Sequence, residues 1–164
     1  MPSRRAILAG AVAGTAGLSG CLASAFERTG SVKRYVQQKT IKGWPRDGAN
    51  ETVLDVAYDD REERVTGYVS EQWSDYVDDP DQPTISEALH EELHQTYEHV
   101  WYSMGVCSEQ WETGDSTGCQ NDFTDRENFN QAQVHDRVKA SYLEDKEHIE
   151  IHDVIGTKAK PSPE

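Results

Sequence analysis

The segment His-Glu-Glu-Leu-His at positions 90–94 combines residue types that can carry out metal-assisted hydrolysis. In a helix, residues four positions apart lie one turn apart on the same side, so His90 and His94 can both bind one zinc ion. Glu91, beside the first histidine, can act as a general base on a water bound to that metal. The spacing therefore predicts a zinc site with two histidine ligands and a catalytic glutamate.

This five-residue pattern resembles the HExxH motif of zincin metallopeptidases, and the resemblance implies those same roles for His90, Glu91 and His94. A third ligand is not evident, since no Gly-x-x-His sequence follows the motif. The evident donor from outside the helix is the C-terminal segment that carries His148 and His152. The alternative interpretation is that both histidines lie on the half-exposed surface of a helix and bind no metal.

A second group of polar side chains alternates along a predicted strand near the C-terminus. His148, Glu150 and His152 are two positions apart, so they project from one face of a sheet. His135 falls on the same face of the partner strand. Such a set can bind a transition metal. The alternative is a solvated hairpin face, on which Lys139 lies opposite His152 and pairs with Glu150.

The first 21 residues have the features of an export signal. Arg4 and Arg5 precede the apolar segment 6–17, which is shorter than the about 20 residues that span a bilayer. The segment leads into Leu-Ser-Gly-Cys at 18–21, which resembles a lipobox, in which the cysteine is lipidated and becomes the mature N-terminus. The resemblance implies twin-arginine export and a lipid on Cys21 that holds the protein on the extracytoplasmic face of the cell membrane. The alternative is an uncleaved N-terminal anchor.

The charge of the chain restricts the partners that it can bind. Its formal net charge is −14, and loss of the first 20 residues, with Arg4 and Arg5, takes this to −16. Nucleic acid is excluded as a partner because its phosphates would be repelled, and anionic lipid headgroups are disfavoured for the same reason. A cationic partner, or hydration in concentrated salt, fits such acidity. Together with the signal and lipobox, the acidity resembles the secreted lipoproteins of haloarchaea.

Two modifications of the exported chain are expected. If Cys21 is lipidated, Cys107 and Cys119 remain as an even pair, and in an exported protein such a pair predicts a disulfide. A zinc site is the alternative, but these cysteines lack CxxC spacing. Asn50 begins an Asn-Glu-Thr sequon, which predicts an N-glycosylation site in a loop.

The hydrophobic pattern predicts five strands and one long helix. The strands, in chain order, cover residues 31–44, 51–58, 63–70, 134–143 and 147–155, and the last four form two hairpins. The helix begins near Thr84, which has Glu87 at capping-box spacing, and ends near Gly105. Its apolar side chains fall on one stripe at helical spacing, which comprises Ile85, Leu89, Leu93, Thr96, Val100 and Met104. A short second helix is predicted at 124–133.

These elements predict an α+β fold. A mostly antiparallel sheet of about five strands, in the order βββ-α-ββ, packs its apolar face on one long helix. The predicted organisation is a signal peptide at 1–20, a tether at 21–30, a single domain at 31–155 and a disordered tail at 156–164.

Three functions fit the sequence. The first is a membrane-anchored lipoprotein that acts as a small binding or interaction module for a surface protein or a small molecule, without a cofactor and without catalysis. The second is a small zinc hydrolase built on the HEELH helix, and the third is a structural component of the envelope. The aromatic residues of the middle segment either fill the core or form a contact surface; they are Trp73, Tyr76, Tyr97, Trp101, Tyr102 and Trp111.

Overall fold

One long strand, β1, organises the sheet. The computed structural model describes residues 32–108, 118–143 and 145–157, with the backbone alone at 32–34. Its elements, in chain order, are β1 (Val32–Trp44), β2 (Glu51–Asp59), β3 (Arg64–Val69), a 3-10 helix (Glu71–Tyr76), α1 (Glu87–Thr96), β4 (His99–Cys107), β5 (Cys119–Thr124), α2 (Arg126–Gln131), β6 (Asp136–Leu143) and β7 (His148–Thr157).

The strands form a closed barrel with a hairpin attached to it. The order across the sheet is β3-β2-β1-β4-β5-β7-β6, and the start of β1 also pairs with β6, from Val32 opposite Ala140 to Tyr35 opposite Arg137. This last pairing closes a barrel of five strands, β1, β4, β5, β7 and β6. All pairings are antiparallel except that of β5 with β7. Five-stranded Greek-key barrels of this kind include the OB-fold.

The 13 residues of β1 allow it to serve both parts of the sheet. Its pairing with β4 shifts register between Val36 and Gln38, and its pairing with β2 shifts between Ile41 and Lys42. Bulges of this kind increase the twist and bend of a strand. The bent strand can therefore close the barrel at one end and carry the β2–β3 hairpin at the other.

Both predicted hairpins are confirmed. In the first, Leu54 lies opposite Val69. In the second, Ala140 lies opposite Ile151. In each hairpin the alternation of apolar and polar residues predicted which face is buried. A one-residue slip in pairing would turn the apolar side chains to solvent, so the same alternation also specifies the register.

The predicted α+β fold, with a sheet of about five strands packed on one long helix, is wrong. The protein is mostly β, and α1 ends at Thr96; the second half of the predicted helix is β4. Val100 and Met104 are four positions apart, which fits a helical stripe and also the two-residue period of a strand. Tyr102, Met104 and Val106 are buried at that shorter period. The strand β5 was not predicted.

The helices contribute apolar side chains to the core but do not form a layer. Leu89 and Leu93 of α1 and Phe129 of α2 are fully buried. Each helix has its N-cap one or two residues after the predicted start, at Ser86 instead of Thr84 and at Asp125 instead of position 124. The Ser86 side chain accepts a hydrogen bond from the amide of Leu89, and Asp125 accepts one from the amide of Asn128. These side chains satisfy amide groups that the first turn of a helix leaves without partners.

A lysine is buried in the interior of the fold. Lys39 of β1 has no exposed surface, and its ammonium group lies 4.2 Å from the centre of the Phe129 ring. Nζ donates hydrogen bonds to the carbonyl of Ala132 at 2.9 Å, to Oε1 of Gln133 at 3.0 Å and to the carbonyl of Pro83 at 3.4 Å. The three protons of the ammonium group match these acceptors. Lys39 therefore ties the segments before α1 and after α2 to the barrel.

Candidate functional site

The helix α1 brings the two histidines of the HEELH segment together. The ring centroids of His90 and His94 are 4.4 Å apart, with the rings at 68° to each other. Glu91 is exposed beside them. Burial, and then the neighbouring His90, lowers the pKa of His94 below its ordinary value. Both effects favour the neutral imidazole, which is the form that can bind a metal.

The orientation of His90 is set by a tyrosine of the barrel. The hydroxyl group of Tyr102 lies 2.8 Å from Nδ1 of His90. Burial raises the pKa of Tyr102 to about 12, a rise that Arg126 opposes and Glu87 increases. The neutral phenol occupies Nδ1 of His90, so Nε2 could bind a metal only in the tautomer in which Nδ1–H donates to the Tyr102 oxygen.

The structure does not bring a third ligand to this pair. Within the described residues, no group of three or more His, Cys, Asp or Glu side chains is placed to hold a metal ion. The C-terminal hairpin, expected as the donor, uses its histidines elsewhere. Nε2 of His148 lies 3.7 Å from a carboxylate oxygen of Asp125, and Nε2 of His152 lies 2.7 Å from Oγ of Ser141.

The second predicted cluster is likewise divided among separate contacts. His135 stacks on Tyr58, with ring centroids 4.2 Å apart, and has a positive φ of 76°. Lys139 lies opposite Asp153 and forms an ion pair with it at 3.4 Å. The expectation that Lys139 lies opposite His152 is wrong, because the register shifts between Lys139 and Ala140.

The aromatic residues divide between core and surface. Trp73, Tyr97 and Tyr102 are buried, whereas Tyr76 and Trp101 are 39% and 43% exposed. Trp111 lies outside the described residues. Both interpretations of the aromatic set thus apply, to different members of it.

Trp101 is fixed in place by two other aromatic rings. Its ring centroid is 4.0 Å from that of Trp44 on β1 and 4.9 Å from that of Phe123 on β5, which it meets edge to face. An open depression of about 370 Å³ lies at these rings, and its lining is uncharged; it consists of Val100, Trp101, Tyr102, Phe123 and Thr124. Tyr102 therefore belongs both to this depression and to the contact with His90.

A continuous line of cross-strand partners runs from this depression over five strands. The partners, one on each of β3, β2, β1, β4 and β5, are Tyr68, Asp55, Thr40, Ser103 and Phe123. Directly opposed residues project from the same face of a sheet. None of the five is buried, and Tyr68 is 56% exposed. We call these five residues, together with Trp101 beside Phe123, the outer-face row; it has aromatic rings at each end and three polar side chains between.

The polar centre of the row is internally hydrogen-bonded. Oδ1 of Asp55 accepts hydrogen bonds from Oγ1 of Thr40 and from Nε2 of Gln38, both at 2.8 Å. Oγ of Ser103 lies 3.4 Å from the carbonyl of Thr40. The carboxylate is thereby held in one orientation through one of its two oxygens.

A second depression lies at the other end of the row. Its volume is about 520 Å³, and its lining includes Tyr58 and Tyr68 together with the charged residues Asp55, Asp59, Asp60 and Arg61. Asp55 and Tyr68 belong both to the row and to this depression. The row therefore joins two depressions on the outside of the sheet.

Trp44, Tyr68 and Phe123 were not among the candidate residues predicted from the sequence. Tyr68 and Trp44 lie on predicted strands at positions that alternate with buried residues, so their outward orientation was available from the pattern. Phe123 was missed because β5 was not predicted. Only the pairing of β4 with β5 places it beside Trp101.

The remaining predicted sites fall in different parts of the chain. Cys107 and Cys119 form the predicted disulfide, between directly opposed positions of β4 and β5. Asn50 is exposed just before β2. Arg4, Arg5 and Cys21 lie outside the described residues, as do the proposed signal and tether. Among the helices that the structure describes, none is long and apolar enough to cross a membrane.

The chain was compared with protein families, curated proteins and solved structures. No protein-family model, no curated protein and no solved structure matches this chain.

Proposed function

We propose that this protein is a lipid-anchored extracytoplasmic binding module whose ligand lies on the outer-face row, with Trp101 as the main contact. The observation that carries the proposal is the row itself, in which aromatic rings at the two ends flank oriented polar groups and which joins two depressions. Trp and Tyr side chains supply large contact areas together with hydrogen-bonding groups. Depressions of about 370 and 520 Å³ fall in the range of sites for small molecules.

The rigidity of Trp101 supports a binding role. Trp44 and Phe123 hold its ring on two sides, while 43% of its surface stays in water. A ring that is already fixed loses little conformational entropy when a ligand stacks on it. The exposed part of the Trp101 ring is in unfavourable contact with water in the free protein. A ligand that covers the ring removes this apolar surface from water, which favours binding.

The position of Trp101 and Phe123 in the fold agrees with a ligand site at these residues. In barrels of the OB type, ligands bind on the face of the second and third barrel strands. Those strands are here β4 and β5, which carry Trp101 and Phe123. This agreement is an analogy between folds, and the proposal rests on the residues of the row.

Anchoring is supported by the order of Arg4, Arg5, the apolar segment 6–17 and Cys21. Cell fractionation with a Cys21→Ala variant tests it. We expect the protein to move from the membrane fraction to the medium or to remain as unprocessed precursor, and the wild-type N-terminus to carry the mass of a lipid. A matched variant with Arg4 and Arg5 changed to lysine should accumulate inside the cell. A wild-type protein without lipid would contradict the anchor.

A zinc hydrolase is the second candidate, favoured by one observation. With Nδ1–H of His90 donating to the hydroxyl oxygen of Tyr102, this contact has the form of the second-shell bond that orients a metal-bound histidine. If zinc binds, His90 and His94 would hold it and Glu91 would act on its water. Two histidine ligands leave such a site incomplete, since catalytic zinc has three protein ligands. The binding module is therefore the better supported function.

Ligand-observed NMR with a fragment set tests the binding site. The set contains ring-sized neutral, cationic and anionic compounds, and it is screened against wild type, Trp101→Ala and Tyr76→Ala. Tyr76 is a matched control because it is exposed to a similar degree and lies outside the row. We expect neutral fragments to bind wild type and Tyr76→Ala and to lose binding in Trp101→Ala. Equal binding to all three proteins would overturn the assignment of the site.

A further inference from the structure

We infer that the ligand of the outer-face row is an uncharged oligosaccharide that lies across the strands, from Trp101 and Phe123 towards Tyr68. This inference rests on the proposed binding function and adds the chemical class and the direction of the ligand. It follows from the chemistry of the two ends, the chemistry of the centre, the distribution of charge and the length of the row.

The ends of the row suit the apolar faces of sugar rings. A pyranose ring has C–H groups on its faces and hydroxyl groups around its edge, so it can stack on an aromatic ring while its edge remains hydrated. Trp101 presents such a ring, braced by Trp44 and Phe123. Tyr68, exposed on the edge strand β3, presents a second ring at the far end.

The centre of the row suits the hydroxyl groups. Oδ1 of Asp55 is occupied by Thr40 and Gln38, and among the described residues Oδ2 of Asp55 has no hydrogen-bond partner. An oriented carboxylate oxygen is a strong acceptor for a sugar hydroxyl. The Thr40 hydroxyl donates to Asp55 and the Ser103 hydroxyl to the Thr40 carbonyl, so their oxygens add an acceptor on each of the next two strands. A purely apolar ligand would cover Oδ2 of Asp55 and give it no hydrogen bond in place of water.

The charges around the row favour an uncharged ligand. Asp55 is the only charged member of the row, and the depression at the Tyr68 end adds Asp59, Asp60 and Arg61. This acidic balance, like that of the whole chain, disfavours an anionic polymer. Lys42 is the cross-strand partner of Trp101, so a cation placed over that ring would meet a like charge. The depression beside Trp101 has no charged lining residue. A neutral ligand avoids both conflicts.

The length of the row requires several sugar units. Neighbouring strands are about 4.8 Å apart, so four steps from β3 to β5 cover about 19 Å along the sheet. A single ring can occupy one end only. The affinity should therefore increase with chain length, and Tyr68 should contribute only when the ligand is long enough to reach it.

Titrations with oligosaccharide ladders test the inference. The probes are neutral ladders of glucose, mannose, galactose and N-acetylglucosamine, from monosaccharide to hexasaccharide, and an acidic uronic-acid ladder as control, followed by tryptophan fluorescence in high salt. We expect one neutral ladder to bind with affinity that rises with length, and the acidic ladder to bind no more tightly than its monosaccharide.

Variants separate the parts of the row. Trp101→Ala should weaken binding of every length about tenfold or more, and Trp101→Phe should recover part of it. Tyr68→Ala should weaken the long oligomers and leave the short ones unchanged, while Tyr76→Ala changes neither. Thermal unfolding of each variant shows that it is folded. Equal loss at all lengths in Tyr68→Ala would overturn the proposed direction of the ligand.

The test distinguishes this inference from the proposed function. If neutral fragments still require Trp101 but no neutral ladder binds, the oligosaccharide is wrong and the binding site stands. If the acidic ladder binds best, the ligand class is wrong. If neither fragments nor ladders bind, the inference and the proposed function both fail.

Discussion

The hydroxyl group of Tyr102 lies 2.8 Å from Nδ1 of His90 and joins the barrel strand β4 to the helix α1. Tyr102 is buried, so its hydroxyl group requires a partner, and His90 provides one. The same tyrosine lines the depression beside Trp101. The contact gives the first histidine of the HEELH segment a structural role next to the proposed ligand site.

Replacement of Tyr102 by phenylalanine should lower the free energy of unfolding by about 1 kcal/mol, because His90 loses a hydrogen bond in a partly buried position. His94→Ala should leave it almost unchanged, since His94 is exposed. Urea unfolding of both variants measures these effects. A metal chelator should not change the result for wild type; a stabilisation by zinc that His94→Ala abolishes would favour the hydrolase.

Gly43 of β1 should not tolerate a side chain. A Cβ atom at this position would overlap the ring of Tyr97, which is buried and donates a hydrogen bond from its hydroxyl to Glu51 at 2.8 Å. Gly43→Ala should destabilise the protein by about 1–3 kcal/mol, as overpacking does. In a Tyr97→Leu background, Gly43→Ala should lower the free energy of unfolding by a smaller amount. Equal costs in the two backgrounds, measured by urea unfolding, would show that the ring is not the obstacle.

The buried Lys39 should make stability depend on pH. Burial lowers its pKa from 10.5 to about 7, and Asp136 partly opposes this. Between pH 7 and 10 the unfolded chain therefore binds this proton more strongly than the folded chain does. The sign follows from linkage: the contribution of Lys39 to the free energy of unfolding rises with pH in this range, by up to about 1.4 kcal/mol per pH unit.

Lys39→Met tests this dependence. This substitution should lower the free energy of unfolding by about 1–3 kcal/mol at pH 8, because the carbonyl of Ala132 and the side chain of Gln133 lose their donor. The difference in stability between wild type and variant should widen from pH 7 to pH 10. Lys139→Met, which removes a half-exposed lysine of β6, is the matched control and should show no such widening. A constant difference would mean that the pKa of Lys39 is not lowered.

The disulfide should stabilise the barrel and leave the ligand site intact. Cys107 and Cys119 close a loop between β4 and β5, and loops of this size contribute about 3 kcal/mol by restricting the unfolded chain. Replacement of both cysteines by serine should lower the free energy of unfolding by that amount. Ligand binding at Trp101 should persist below the unfolding transition. Loss of binding in a variant that remains folded would show that the disulfide also positions the site.

The sequence was sufficient for the local pairings of the fold. Leu54 with Val69 and Ala140 with Ile151 follow from alternation within short hairpins, where the turn sets the register. It was not sufficient for β4, because Val100 and Met104 satisfy the periods of a helix and of a strand. Extended backbone at Tyr97 ends α1. The residues that follow form the strand β4 because they pair with β1.

The site was predictable only in part, for a related reason. Trp101 could be named as a surface candidate from composition alone, but its neighbours Trp44 and Phe123 are far from it in the chain. The row that joins Tyr68 to Phe123 exists only when five strands are in register. Two of those strands, β4 and β5, were not foreseen. By contrast, the HEELH motif is visible within five residues, yet proximity in sequence did not supply its third ligand.

The most direct test of the binding site is protein-observed NMR of the indole N–H signals during titration with neutral ring-sized fragments. The chain has four tryptophans, so the signals can be assigned by single substitutions. We predict that Trp101 and its neighbour Trp44 shift with saturation, while Trp73, which is buried and hydrogen-bonded to Tyr97, does not. An unchanged Trp101 signal, with shifts at α1 or none at all, would contradict a ligand site on the outer-face row.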